Sequence, residues 1–137
     1  MLNLRLVQPA RLVDVRKIQE MTAVDRDGEA LILGGCVTHS NIEDGKAPDI
    51  ANGMMARVAA GIACRAVRNR GTIGGSIANA DPAAEYPAVI LALDASLKAL
   101  SVRGAREIPA EEFFVGPEID IERMTVLRCM CFASLGS

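Results

Sequence analysis

The apolar positions of this chain fall into short stretches, each with its own period. Leu12-Val13-Asp14-Val15 is a brief apolar run that predicts a strand, and residues 16–21 predict a turn or short helix. Residues 22–25 and 30–33 are two apolar runs on either side of Arg26-Asp27-Gly28. An Asp-Gly pair in that setting predicts a hairpin. Thr38 or Ser40 is placed to cap a short helix over 41–44. From Pro48 onward, Ile50, Met54, Met55, Val58 and Ile62 recur every three or four residues, which is one face of a helix that Gly61 ends. A second helix is expected over 83–94, capped by Asp81, with Pro82 at its first position, where a missing N–H costs nothing. Residues 97–102 and Glu107-Ile108 flank Gly104 and predict a second hairpin. Strands, helices and hairpins follow one another without a regular βαβ alternation, so the predicted class is α+β.

Composition narrows the function classes. The chain has 137 residues, half of them hydrophobic, enough for one domain with a real core. Its net charge of −2 gives no electrostatic footprint for nucleic acid, and one Tyr, three Phe and no Trp leave little for stacking bases. Apolar runs such as 87–93 are far too short to span a bilayer, and the first residues lack the pattern of a signal peptide, so the expected location is the cytoplasm. The four cysteines, at 36, 64, 129 and 131, contain no C-x-x-C pair, and the only His, His39, is distant in sequence. Reduced thiols are the expectation, with no metal and no iron–sulfur cluster on this chain. His39, with no nucleophile or ligand partner nearby in sequence, is given a local structural role.

One segment carries chemistry: Val67-Arg-Asn-Arg-Gly-Thr-Ile-Gly-Gly-Ser-Ile-Ala-Asn-Ala-Asp-Pro-Ala-Ala-Glu85. A diphosphate needs several donors converging on it with no Cβ in the way. Gly71, Gly74 and Gly75 allow positive φ and close backbone approach. The amides around 73–76 are expected to form a concave anion nest, Thr72 and Ser76 add hydroxyls, and Arg68 and Arg70 add charge. The G-x-x-G-G spacing is neither the G-x-G-x-x-G of dinucleotide-binding βαβ units nor a Walker A loop. On pattern alone, a tight bend between strands remains the alternative to a ligand loop.

Residues 68–82 resemble the second FAD motif of the medium, FAD-binding subunits of molybdenum hydroxylases, the relatives of xanthine dehydrogenase and aerobic carbon monoxide dehydrogenase. The resemblance extends to Leu2-Asn3-Leu4-Arg5, to Leu12-Val13-Asp14, to residues 31–43 with Val37-Thr38-His39, and to Phe113-Phe114-Val115-Gly116-Pro117. It implies a PCMH-type FAD-binding domain, second FAD subdomain only, with an antiparallel or mixed sheet and flanking helices. It implies that Thr72, Ile73, Gly74, Gly75 and Ser76 sit on the phosphates of FAD, that Glu85 contacts cofactor hydroxyls, and that Ile62 lies against the cofactor. No catalytic acid, base or nucleophile is implied on this chain. In the family a large molybdopterin-binding subunit hydroxylates the substrate, a small subunit carries 2Fe–2S clusters, and electrons pass through them to FAD and on to an external acceptor.

The family's first FAD loop, of Ala-Gly-Gly-Thr type, lies before the point that corresponds to Met1. Residues 118–137 depart from the family's pattern. The expected organisation is therefore a partial FAD-binding domain over 1–117 and a divergent tail over 118–137, with oxidoreductase function that needs partner subunits. The alternative is a truncated, non-catalytic remnant without stable flavin.

Overall fold

The structure, a computed structural model, describes residues 8, 10–28 and 30–114, and the backbone of 126–132. Five strands form one sheet in the order β1-β2-β5-β3-β4, antiparallel at every pairing. The predicted α+β class, an antiparallel sheet with flanking helices, is what the chain adopts.

Both expected hairpins are present. Strands β1 (Val24–Asp27) and β2 (Ala30–Gly34) pair in register Val24↔Leu33, with Gly28 in the turn at φ +62°. Strands β3 (Ser96–Ser101) and β4 (Gly104–Pro109) pair in register Ser96↔Pro109, and Gly104 takes φ +121°. A side chain at such φ values is disfavoured, which explains glycine at both turns. Between the hairpins lies β5 (Val126–Phe132), bonded to β2 on one side and to β3 on the other. It comes from the stretch set apart above as a tail, and it is the middle strand of the sheet.

Alternation along β2 and β3 buries Leu31, Leu33, Leu97 and Ala99 in a core completed by helices. The helices are α1 (Gln19–Thr22), α2 (His39–Glu43), α3 (Met54–Gly61), α4 (Arg65–Arg68), α5 (Ile73–Asn79), α6 (Glu85–Ala92) and α7 (Ala110–Phe113). Ile73, Ile77, Tyr86, Ile90 and Leu93 from α5 and the α6 region are essentially inaccessible. Each such side chain contributes about 1.5–3 kcal/mol of transfer free energy.

Three expectations change. Residues 12–15 form no strand: Leu12 and Val13 are exposed, and Arg16 folds back onto Asp14 with its backbone N (3.0 Å), Nε (3.0 Å) and Nη2 (2.8 Å). The helix expected from Pro48 begins only at Met54, because Asn52 and Gly53 take left-handed φ values of +51° and +80°. Asp49 is the reason the later start is stable: its carboxylate accepts from Ala51 N (2.8 Å) and from Ala56 N (3.1 Å) in the first turn of α3. In the same way Asp81 closes a turn by accepting from Ala83 N (2.9 Å) rather than capping a helix, and α6 starts at Glu85 with Pro87 in its first turn.

Candidate functional site

The glycine-rich segment is held by the turn that leaves β2. Gly34 ends the strand where a Cβ would collide with the Met21 carbonyl, and the chain turns through Val37 N→Gly34 O at 2.9 Å. The outgoing turn and the glycine segment then lace together. His39 N donates to Gly71 O (3.1 Å), Ile73 N to Val37 O (3.0 Å) and Gly74 N to Gly35 O (3.0 Å), around an antiparallel bridge between Thr38 and Thr72.

The two bridged threonines start two helices side by side. Thr38 Oγ1 accepts from Asn41 N at 3.2 Å at the head of α2, and Thr72 Oγ1 accepts from Gly75 N at 3.1 Å at the head of α5. Neither first turn contains an acidic residue. Helix N-termini present partial positive charge, so this edge is electrostatically suited to an anion.

The expected anion nest needs correction. Gly71, Gly74 and Gly75 are not among the positive-φ residues, and Gly74, Gly75 and Ser76 are turns of α5 rather than a loop. The amides of 73–76 are already occupied, by Val37 O, Gly35 O, Thr72 Oγ1 and Thr72 O respectively. The glycines serve close approach. A Cβ at Gly74 would lie 2.6 Å from Gly35 O and 2.7 Å from Gly35 Cα, and one at Gly71 would lie 2.7 Å from the His39 ring. Only Gly75 is exposed, where a Cβ would meet Thr72 Oγ1 alone at 2.9 Å.

The expected site residues divide accordingly. Gly75 is exposed and Thr72 and Ser76 are half-buried, so this part of the turn reaches the surface, whereas Ile73 and Gly74 are buried and support it from below. Glu85 is exposed at the first residue of α6. Ile62 is half-buried just past α3, where its carbonyl accepts from Arg68 Nη1 at 2.9 Å. Of the two arginines, Arg68 departs from expectation, being committed to Glu43 and to two carbonyls, while Arg70 is exposed and makes no ion pair among the described residues.

Beneath this turn lie two side chains that sequence reasoning had not joined. The His39 ring stacks on Tyr86 with centroids 5.3 Å apart and planes at 28°. Both are buried, and His39 Nδ1 and Tyr86 Oη have no hydrogen-bond partner among the described residues. Burial lowers the pKa of His39, partly opposed by the charge of Glu85, and raises that of Tyr86. A neutral, buried imidazole fits the structural role assigned to His39. Its one sequence signal was its isolation; nothing in the local pattern pointed to Tyr86.

For FAD, the fit rests on the Thr72 and Ser76 hydroxyls beside Gly75, which is exposed and carries no Cβ to block a ligand. With the amides of 73–76 taken within the chain, the hydroxyls are the groups that can donate to a diphosphate. Among the described residues no group of His, Cys, Asp and Glu could hold a metal, and no helix is long and apolar enough to cross a membrane.

A family model, the FAD binding domain in molybdopterin dehydrogenase, matches residues 1–129, and the chain belongs to that family. The chain is 40% identical over 114 residues to the nicotine 6-hydroxylase medium subunit of Paenarthrobacter nicotinovorans, covering 83% of this chain and 40% of that one. It is 31% identical to the carbon monoxide dehydrogenase medium chain of Hydrogenophaga pseudoflava, covering 97% of this chain and 48% of that one. Among solved structures, quinoline 2-oxidoreductase from Pseudomonas putida 86 superposes with a TM-score of 0.85 at 32% identity, over 97% of this chain and 47% of that one. The chain thus spans less than half the length of these relatives.

Proposed function

We propose that this chain is the FAD-holding, electron-transfer module of a molybdenum-containing hydroxylase or dehydrogenase complex, with the cofactor diphosphate on the surface formed by Thr72, Gly75 and Ser76. Ile73 and Gly74 support that surface, Glu85 faces the cofactor hydroxyls, and Ile62 offers an apolar contact. When bound, the flavin accepts electrons and hands them on; the protein binds and orients it. The partners are a large molybdopterin-binding subunit and a small 2Fe–2S subunit, in the cytoplasm, and the chain is inactive without them. The domain includes β5, so its sheet continues past residue 117.

The observation that carries this reading is the exposed, side-chain-free turn at Gly75, next to the capping hydroxyl of Thr72, in a chain of this family. Gly75→Leu tests it. Leucine is a good helix former, so α5 keeps its propensity while a bulky group covers the proposed phosphate seat. FAD or ADP affinity measured by calorimetry should fall by at least about tenfold, or roughly 1.4 kcal/mol. Unchanged affinity in a folded Gly75→Leu protein removes this surface as the phosphate seat.

A further inference from the structure

Arg68 is the last residue of α4, and its side chain is only 12% exposed. It grips Glu43, the last residue of α2, with two bonds: Nε to Oε2 at 2.8 Å and Nη2 to Oε1 at 3.1 Å. Its Nη1 turns the other way and donates to the carbonyls of Ile62 (2.9 Å) and Ala63 (2.8 Å), just past α3. Ala63 takes a φ of +40°, a conformation that residues with a Cβ rarely adopt unless their surroundings impose it. One guanidinium therefore ties together the end of α2, a strained exit from α3, and the segment that leads into the glycine turn.

The far end of that segment is tied to the same helix. Gly71 N donates to Val67 O (2.7 Å), and Gly71 O accepts from His39 N at the start of α2. Helix α2 is thus attached at its first residue to Gly71 and at its last to Arg68, and Thr72 follows immediately as the cap of α5. Two points of attachment fix an angle as well as a position. Arg65 reinforces the far point through Glu43 (2.6 Å) and Asp44 (2.7 Å), but it is more exposed and reaches neither carbonyl.

We propose that Arg68 is a positioning residue for the cofactor turn, holding the start of α5 against the Gly35-to-Thr38 turn so that Thr72, Gly75 and Ser76 present one surface. This rests on the flavin reading of that surface. Lysine cannot replace it fully, because a single ammonium cannot pair with both carboxylate oxygens in a fixed plane and also hold two carbonyls.

The test uses the full chain as Arg68→Met and Arg68→Lys, with Leu97→Ala, a core change in β3, as a control for stability alone. Two quantities are read under conditions where every protein is folded: the ADP and FAD dissociation constants, and hydrogen exchange at the amides of His39, Ile73 and Gly74. Arg68→Met should weaken binding about tenfold and speed exchange at those three amides by a similar factor, with Arg68→Lys between it and the parent. Leu97→Ala should lower the melting temperature and leave both readouts in place. If the parent binds ADP and FAD, equal binding by both Arg68 variants overturns the proposal, even if the melting temperature falls. If the parent binds neither nucleotide, the flavin reading fails on its own. Exchange at the three amides then decides the positioning role, and parent-like protection in Arg68→Met overturns it.

Discussion

Replacing Gly74 by alanine adds one carbon where there is no room for it. The new Cβ would lie 2.6 Å from the Gly35 carbonyl oxygen, 2.7 Å from its Cα and 3.0 Å from its carbonyl carbon. All three atoms are backbone, so no rotamer change relieves the contact; α5 has to move away from the turn after β2. Overpacking of this kind costs about 1–3 kcal/mol, and stretching the Gly74 N→Gly35 O bond adds about 1 kcal/mol. Alanine's better helix propensity returns roughly 1 kcal/mol. The net expectation is a loss of about 1–3 kcal/mol, which for a chain of this size lowers the melting temperature by roughly 3–15 °C. The neighbouring Gly75→Ala behaves differently: its Cβ meets only Thr72 Oγ1, so losing part of the cap, about 1 kcal/mol, is offset by the same propensity gain. Urea and thermal unfolding of the two variants beside the parent measure the contrast. If Gly74→Ala is as stable as Gly75→Ala, the close approach of α5 to Gly35 is not the reason for glycine at 74.

Thr72→Ala removes the cap of α5 without adding bulk and should cost about 1 kcal/mol in urea unfolding, with FAD affinity falling as well because the same hydroxyl lies on the proposed seat. Stability should depend on pH through His39. Burial holds its pKa below the ordinary 6.5, so the unfolded chain binds a proton more readily than the folded one, and stability present above pH 6.5 is lost progressively as pH falls below it. Urea midpoints between pH 8 and pH 5.5 should show this loss, and His39→Gln should flatten that window. The carboxylates lowered by their arginines, Glu43 and Asp44, have ordinary values of 4.5 and 3.8, so their contribution is lost only at lower pH.

Hairpins and core were legible in the sequence because their signals are local. Asp27-Gly28 and Gly104 mark turns that need positive φ, and the apolar runs beside them are the strands, although which residues of 30–33 and 97–100 face the core shows only in the folded sheet. The start of α3 was misplaced because an apolar period cannot register that Asn52 and Gly53 break the helix while Asp49 caps from upstream. At the site, the glycine segment was found and close approach was one of the two reasons given for its glycines, but the neighbour approached was taken to be a ligand. Local sequence offers positive φ as the common reason for glycine, whereas here the reason is Gly35, nearly forty positions away and visible only once the chain has folded. Arg68 was misassigned for the same reason: a cation beside a phosphate motif reads as a ligand until Glu43 is seen to hold it.

The place of β5 sets an order of events as the chain leaves the ribosome. The hairpins of β1–β2 and β3–β4 close over a few residues each, but they do not pair with each other. On their inner edges Gly34 meets Cys129 and Ser96 meets Cys131, so two ribbons wait with those edges unsatisfied until residues 126–132 are made and slot between them. For that interval each ribbon offers an open edge to any passing strand. A nascent chain stalled before Val126, or one clipped there by a protease, keeps both edges open indefinitely. Such a product should be captured by chaperones or aggregate, although nearly all of the glycine turn's own contacts are already encoded in it.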